Sequence, residues 1–259
     1  MGFLDAILLG IVEGLTEFLP VSSTAHLILA SRVLEIPSSD FLLSFIIAIQ
    51  LGAIASIVIL FWKTILWDFE RMKRVAVAFI PTALIGFFLY KLLKEVLVEN
   101  LALIALALLV GGVILIVFEY FHKRETATVE AEGPMPYTSA LAIGLAQSLA
   151  IIPGVSRAGA TILGGLLLGV PRKEIVEFSF LLAVPTMLAA TGYDLLKSSA
   201  AFATGEWELL AVGFFVSFVA AYIGVRFLVR YVQTHSFAAF GYYRIALGCL
   251  VLVVVAMQL

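Results

Sequence analysis

Apolar residues run in long stretches along this chain, broken at a few short polar sites, and the lengths of the stretches predict the elements. Phe41–Trp62, Val75–Leu93 and Leu101–Tyr120 in the first half each approach the length of helix that crosses a hydrocarbon core. That length is about 20 residues for a core of about 30 Å. Ile175–Leu196, Leu209–Val229 and Phe240–Met257 repeat the pattern in the second half. Shorter pieces precede each set. Residues 3–18 and 22–32 are too short to span, as are the run Gly144 to Leu149 and the helix that follows Pro153 and ends at Gly169. Each short pair predicts a re-entrant helix–break–helix hairpin. Lipid permits such irregular backbone only where protein or a wet cavity covers it.

The order hairpin, then three spans, occurs twice. Residues 1–121 form the first unit, 122–137 a polar linker, and 138–259 the second, all within one membrane domain. An offset of about 134 positions places Glu13 on Gln147, Val21 on Val155 and Ser22 on Ser156. Three spans per unit is an odd number, so the second unit enters the bilayer from the opposite face. The expected fold is an all-α polytopic membrane protein with six transmembrane helices and two re-entrant hairpins in an inverted-topology repeat. Gly165-Leu-Leu-Leu-Gly169 has the spacing of close helix packing, read here as packing within one chain, with a homodimer left open.

Composition agrees. The chain is 63% hydrophobic and 13% charged, whereas soluble domains are about half apolar and about a quarter charged. A net charge of −2 and the lack of a basic block exclude nucleic acid as a partner. The single Cys249 excludes an intramolecular disulfide. No Lys or Arg precedes Arg32, so the start lacks the positive region of a cleaved signal peptide. Lys63, Arg71, Lys73, Arg74, Lys123, Arg124, Arg172, Lys173, Arg226 and Arg230 fall on one face of this topology; Arg32, Lys91, Lys94 and Lys197 fall on the other. The excess marks the first face as cytoplasmic. The first hairpin then opens outward and the second inward.

Against this apolar background the breaks stand out. Glu13-Gly-Leu-Thr-Glu17-Phe-Leu-Pro20-Val-Ser22-Ser23-Thr24-Ala-His26 holds two carboxylates, three consecutive hydroxyls and an imidazole. Ionisable groups at membrane depth are costly, and by default they mark function. A glutamate pair at i,i+4 is ordinarily a solvated helix face, and Pro followed by Ser-Ser-Thr an ordinary capped start; neither is specific alone. The second break, Pro153-Gly154-Val155-Ser156-Arg157-Ala158-Gly159-Ala160-Thr161, repeats the hydroxyl at a helix start and adds a guanidinium. Helix N-termini suit anions, and a planar donor fork suits phosphate. Ser23 offers a nucleophile, with His26 or Glu17 to take its proton. Two classes remain: an enzyme acting on a phosphorylated lipid, or a transporter, since inverted repeats with broken helices at the midplane are a transporter plan.

Both breaks, and the run Ile49-Gln50-Leu51-Gly52, closely resemble the signature motifs of the bacterial undecaprenyl-diphosphate phosphatases of the bacitracin-resistance type. The resemblance covers essentially the whole chain. It implies hydrolysis of undecaprenyl diphosphate to undecaprenyl phosphate and inorganic phosphate, which recycles the lipid carrier of cell-wall synthesis. It also implies a multi-pass protein of the plasma (inner) membrane with its site open to the outer, periplasmic face. Ser23 would be the nucleophile, with Glu17, Arg157 and His26 as catalytic neighbours. Glu13, Ser22, Thr24, Gly154, Ser156 and Thr161 would bind substrate. A divalent cation, Mg or Ca, is implied, with Glu13 and Glu17 as candidate ligands. The family pattern has Ser after the arginine, where this chain has Ala158, so no hydroxyl role is carried to that position. Flipping of a phosphorylated prenyl lipid is the alternative function.

Overall fold

The computed structural model describes residues 1–92, 100–122, 133–197 and 206–256. Every regular element among them is helical: α1 (Phe3–Thr16), α2 (Ser23–Val33), α3 (Asp40–Leu60), α4 (Trp62–Trp67), α5 (Phe69–Leu92), α6 (Leu101–Phe121), α7 (Tyr137–Ser148), α8 (Arg157–Leu167), α9 (Arg172–Lys197), α10 (Trp207–Thr234) and α11 (Ala238–Ala256). Six of them, α3, α5, α6, α9, α10 and α11, are long and apolar enough to cross a membrane. The chain is therefore a multi-span membrane protein. Helices α1, α2, α7 and α8 have 14, 11, 12 and 11 residues. At about 1.5 Å per residue none reaches across a core of about 30 Å.

Several ends differ from the sequence expectation. Helix α5 starts at Phe69 rather than Val75, and α9 at Arg172 rather than Ile175. Helix α10 runs to Thr234, past Val229. Hydropathy marks the part of a helix that meets hydrocarbon, whereas the backbone hydrogen bonds continue into the headgroup layer. Residues 63–74, outside any predicted span, are a short helix, α4, followed by the first turns of α5. Trp62 and Trp67 are exposed on α4, and Lys63 lies 5.6 Å over the Trp62 ring. This is the pattern of an interfacial anchor. Residues 123–132, most of the expected linker, lie outside the described residues, as does Lys94.

The longest packing seams are α1 on α10, α6 on α11, α3 on α10 and α5 on α7, while α9 packs on both α3 and α5. At one end of the bundle, polar clamps tie the helices together. Arg172 donates to both oxygens of Glu119 at 2.5 and 2.8 Å, and Glu119 also accepts the Phe237 N–H at 2.9 Å. That joins the end of α6 to the starts of α9 and α11. Arg71 pairs with Glu177 at 3.0 Å, joining α5 to α9. Phe18, fully buried, meets Phe180 of α9 edge-on at 5.6 Å, which pins the first polar break into the core.

Candidate functional site

Helix α1 ends at Glu17, and the chain turns through Pro20 before α2 begins at Ser23. The residue that makes the final bend is Ser22, at φ 71°. In the second half α7 runs into a 3-10 turn, Leu149–Ile151, the chain turns at Gly154 (φ 95°), and Ser156 (φ 75°) makes the last bend into α8. Left-handed backbone is uncommon for residues other than glycine, and it persists only where the surroundings enforce it. The same unfavourable bend therefore opens the second helix after each break, at the two serines that the sequence offset aligns.

Arg244 of α11 enforces the arrangement. It is 1% exposed, and its partners are all backbone carbonyls. Nη1 donates to Pro20 at 3.1 Å and Val155 at 2.9 Å, and Nη2 to Gly154 at 2.9 Å and Ala107 at 3.1 Å. Nε reaches Leu108 at 3.5 Å. A guanidinium has five N–H donors in a fixed fork, and here they meet five carbonyls. One side chain thus stitches both breaks to α6. Sequence reasoning misses Arg244, although it lies inside a predicted span, and the rule that singles out ionisable residues at membrane depth applies to it as much as to Glu13.

The breaks converge on a buried cluster. Ser23 Oγ donates to Glu17 Oε2 at 2.5 Å. Arg157 Nη2 approaches the Glu17 carboxylate and carbonyl, both at 3.4 Å, and Nη1 donates to the Ser179 carbonyl at 2.9 Å. The guanidinium also lies 5.6 Å over the Phe18 ring. Glu13 is fully buried and neighbours both Glu17 and Arg157. Among the described residues, no donor reaches either Glu13 carboxylate oxygen, whose near neighbour Glu17 is itself a carboxylate, and the Arg157 Nε–H has no acceptor. Buried polar groups are normally satisfied, so these are the groups a ligand would meet.

The remaining predicted residues sort by position. His26 does not meet Ser23. Its Nδ1 donates to the Ser22 carbonyl at 2.7 Å, and its Nε2 lies 2.6 Å from the Tyr243 hydroxyl. The i−3 spacing puts Ser23 and His26 on neighbouring parts of one helix, but the serine hydroxyl turns inward to Glu17. Ser156 is an N-cap, its Oγ accepting the Gly159 N–H at 3.1 Å, whereas Ser22 makes no side-chain cap bond. Thr24 is exposed beside the buried pair Ser22 and Ser23. The Gly154 carbonyl is taken by Arg244. Thr161 is buried and makes no bond to Ser23; its hydroxyl meets the Arg157 carbonyl at 2.9 Å and Gln147 Oε1 at 3.0 Å. Gln147 in turn donates to Thr82 at 3.0 Å and Thr186 at 3.1 Å.

Chemically, a serine hydroxyl already bonded to a carboxylate has a base in place. A guanidinium with a free N–H beside it can hold an anionic oxygen. Among the described residues no three His, Cys, Asp or Glu side chains gather as a metal cluster. Glu13 and Glu17 still offer acceptor-only oxygens of the type hard cations take, when phosphate and water supply the other ligands.

Residues 6–250 match the family described as Bacitracin resistance protein BacA. The chain is similar to the undecaprenyl-diphosphatase of Aquifex aeolicus, 48% identical over 244 residues, covering 94% of this chain and 95% of the relative. It is 48% identical over 250 residues to that of a Sulfurihydrogenibium species, covering 96% and 98%. The undecaprenyl-diphosphatase of Thermus thermophilus is 46% identical over 247 residues, covering 94% of each chain.

Proposed function

The chain belongs to the bacitracin resistance protein BacA family, and on that premise we propose that it hydrolyses undecaprenyl diphosphate to undecaprenyl phosphate and inorganic phosphate. The observation that carries the reading is the buried Ser23–Glu17 hydrogen bond with Arg157 beside it, in a chain with full-length relatives named undecaprenyl-diphosphatase. Glu17 takes the Ser23 proton as Oγ attacks the terminal phosphorus. The bond from phosphorus to the bridging oxygen breaks, and the electron pair leaves with the lipid monophosphate. Glu17 passes that proton to the departing monophosphate. Water then gives its proton to the freed carboxylate as it attacks the phosphoserine. The bond from phosphorus to Oγ breaks, and Glu17 returns the proton to Ser23 Oγ as phosphate leaves. The unpartnered Nε–H of Arg157 donates to a phosphoryl oxygen in both steps, the electrostatic help that phosphoryl transfer depends on. His26 takes no proton from Ser23 in this scheme; it holds the Ser22 carbonyl. A Mg or Ca ion would be held by Glu13 and Glu17 and would neutralise charge on the phosphate.

We read the two halves as an inverted repeat of re-entrant hairpins and spans, divided at 122–137, and the packing supports this. Gly10 of α1 lies against the Gly213 carbonyl of α10, and Gly144 of α7 against the Ala78 carbonyl of α5. Gly144 follows Gly10 by 134 positions and Gly213 follows Ala78 by 135, so each member of one pair corresponds to a member of the other. Glu13 corresponds to Gln147 and Ser217 to Thr82. In the second half this pair is hydrogen-bonded at 3.0 Å; in the first, no donor among the described residues reaches either buried Glu13 oxygen, and the Ser217 hydroxyl is buried without a partner among them. One half has closed its polar centre, and the other has kept it for a ligand. The same exchange of contacts favours a second reading, lipid translocation, because transporters use it. Phosphate release from a prenyl diphosphate by purified protein in detergent supports hydrolysis. Translocation in liposomes without phosphate release would replace it.

The loop charges orient the protein in the inner membrane with α4 inside and the Ser23 cluster reached from outside. Lys63→Cys, in a Cys249→Ser background, is expected to resist an impermeant thiol reagent in intact cells, while Ser38→Cys labels. The reverse pattern would invert the orientation.

Arg157 is expected to need its fork as well as its charge. Arg157→Lys keeps a cation but loses the planar donors. It should fold and insert, as judged by gel filtration, yet lose most turnover, about a hundredfold for a missing transition-state donor. Turnover within a factor of two of wild type would reduce Arg157 to a counter-charge for Glu17.

A further inference from the structure

The two strained serines are held in different ways. Ser156 caps its own helix, with Oγ accepting the Gly159 N–H at 3.1 Å. Ser22 makes no such bond, and its side chain leaves the α2 start uncapped. Its carbonyl is gripped instead by His26 Nδ1 at 2.7 Å. The residue matching His26 in the second half is Ala160, so that grip exists only in the half that carries Ser23. A carbonyl can only accept, so Nδ1 must carry a proton. In the neutral ring Nε2 is then an acceptor. The Tyr243 hydroxyl, 2.6 Å away, donates to it, and the two rings lie 5.5 Å apart with planes only 6° from parallel. Tyr243 precedes Arg244, which holds the Pro20 carbonyl of the same turn.

We infer that Tyr243 is a positioning residue: through its hydrogen bond it holds the His26 imidazole, whose Nδ1–H tautomer the Ser22 carbonyl sets, in the orientation that keeps Ser22 in the left-handed bend aiming Ser23 at Glu17. Tyr243 touches neither Ser23 nor Glu17 in this scheme and acts only through the imidazole. The orienting of a histidine ring by hydrogen bonds at both nitrogens is a general device. The bend at Ser22, with no cap of its own, needs an external restraint if it is to persist. The effect on turnover rests on the hydrolytic reading, whereas the effect on the imidazole does not.

Two measurements on Tyr243→Phe test this, since phenylalanine keeps the ring and loses the hydroxyl. The chain has three histidines, so nitrogen-labelled imidazole signals in detergent can be assigned with single His→Gln variants. His26 Nε2 is expected to show the signal of a hydrogen-bonded acceptor in wild type and to shift to that of an unbonded one in Tyr243→Phe. In turnover, Tyr243→Phe is expected to lower kcat about tenfold, the equivalent of one well-made hydrogen bond, with KM within twofold. Added to His26→Gln, it should cost less than a further twofold, because two residues acting in series do not multiply. An unchanged His26 Nε2 signal in Tyr243→Phe overturns the inference even if no phosphate is released. So do multiplicative losses in the double variant, or a change confined to KM, which would make Tyr243 a substrate contact. Absence of phosphate release by wild type, with the Nε2 shift intact, would fault the hydrolytic reading alone.

Discussion

Alanine at Ser23 is expected to abolish phosphate release, by about a thousandfold or more, while binding of the lipid diphosphate survives. The hydroxyl is the only part of that side chain that chemistry can use, and it already donates to Glu17 at 2.5 Å. A free hydroxyl is a weak nucleophile and depends on such a base. Glu17→Gln keeps the shape but cannot accept the proton, and should lose about 10²–10⁴-fold, the usual range for a general base. Ser22→Ala should be far milder, because the Ser22 side chain makes no cap bond and its carbonyl, the part that is held, survives the change. Acid quenching of wild-type protein during turnover, with substrate labelled in the terminal phosphate, should leave label on Ser23. Substantial activity in Ser23→Ala would eliminate the covalent route. Water would then be the attacking group and Ser23 only a residue that positions it.

The second large effect is expected at Arg244, where the loss is one of architecture. Its five N–H groups serve the carbonyls of Pro20, Ala107, Leu108, Gly154 and Val155, which belong to three separate parts of the chain. Ala107 and Leu108 lie inside α6 and keep their helix N–H partners, so the carbonyls that depend on Arg244 are those of Pro20, Gly154 and Val155. Lysine has three donors but on a flexible stem without the fork that spans both breaks, and each carbonyl it fails to reach costs about 1–3 kcal/mol. Methionine leaves all three unpaired. Arg244→Met should therefore express poorly or melt far below wild type in detergent, with Arg244→Lys between them. Phosphate release should fall in the same order, because both breaks lose their common anchor. An Arg244→Lys protein that melts with wild type and keeps full turnover would show that the breaks hold their shape by other means.

Much of this was legible in the sequence, because the bilayer imposes lengths. A span must be apolar for about 20 residues and a hairpin helix is visibly shorter, so the six spans and the four short helices stood out. Glu13, Glu17, Ser23 and Arg157 were legible for a related reason: charge and hydroxyl groups are conspicuous where hydrocarbon is expected. Helix ends were less so, since hydropathy stops at the headgroups while hydrogen bonding does not. Hence the starts of α5 and α9 lie several residues earlier than expected.

What the sequence determined by itself was the helical membrane class with its six spans, and it supplied the candidate residues for work on a phosphate. Which of them act on one another was decided by the tertiary structure alone. Spacing put His26 and Glu17 on equal terms as partners of Ser23. The bend at Ser22 turned the hydroxyl inward to Glu17, and the imidazole was drawn to a backbone carbonyl and to Tyr243, some 217 residues along the chain. Glu17 and Arg157 stand 140 residues apart in sequence and 3.4 Å apart in space. Periodicity along one helix says which side chains share a face. It carries no information about which distant carbonyl, carboxylate or guanidinium will be waiting opposite, because that is set by how separate helices pack.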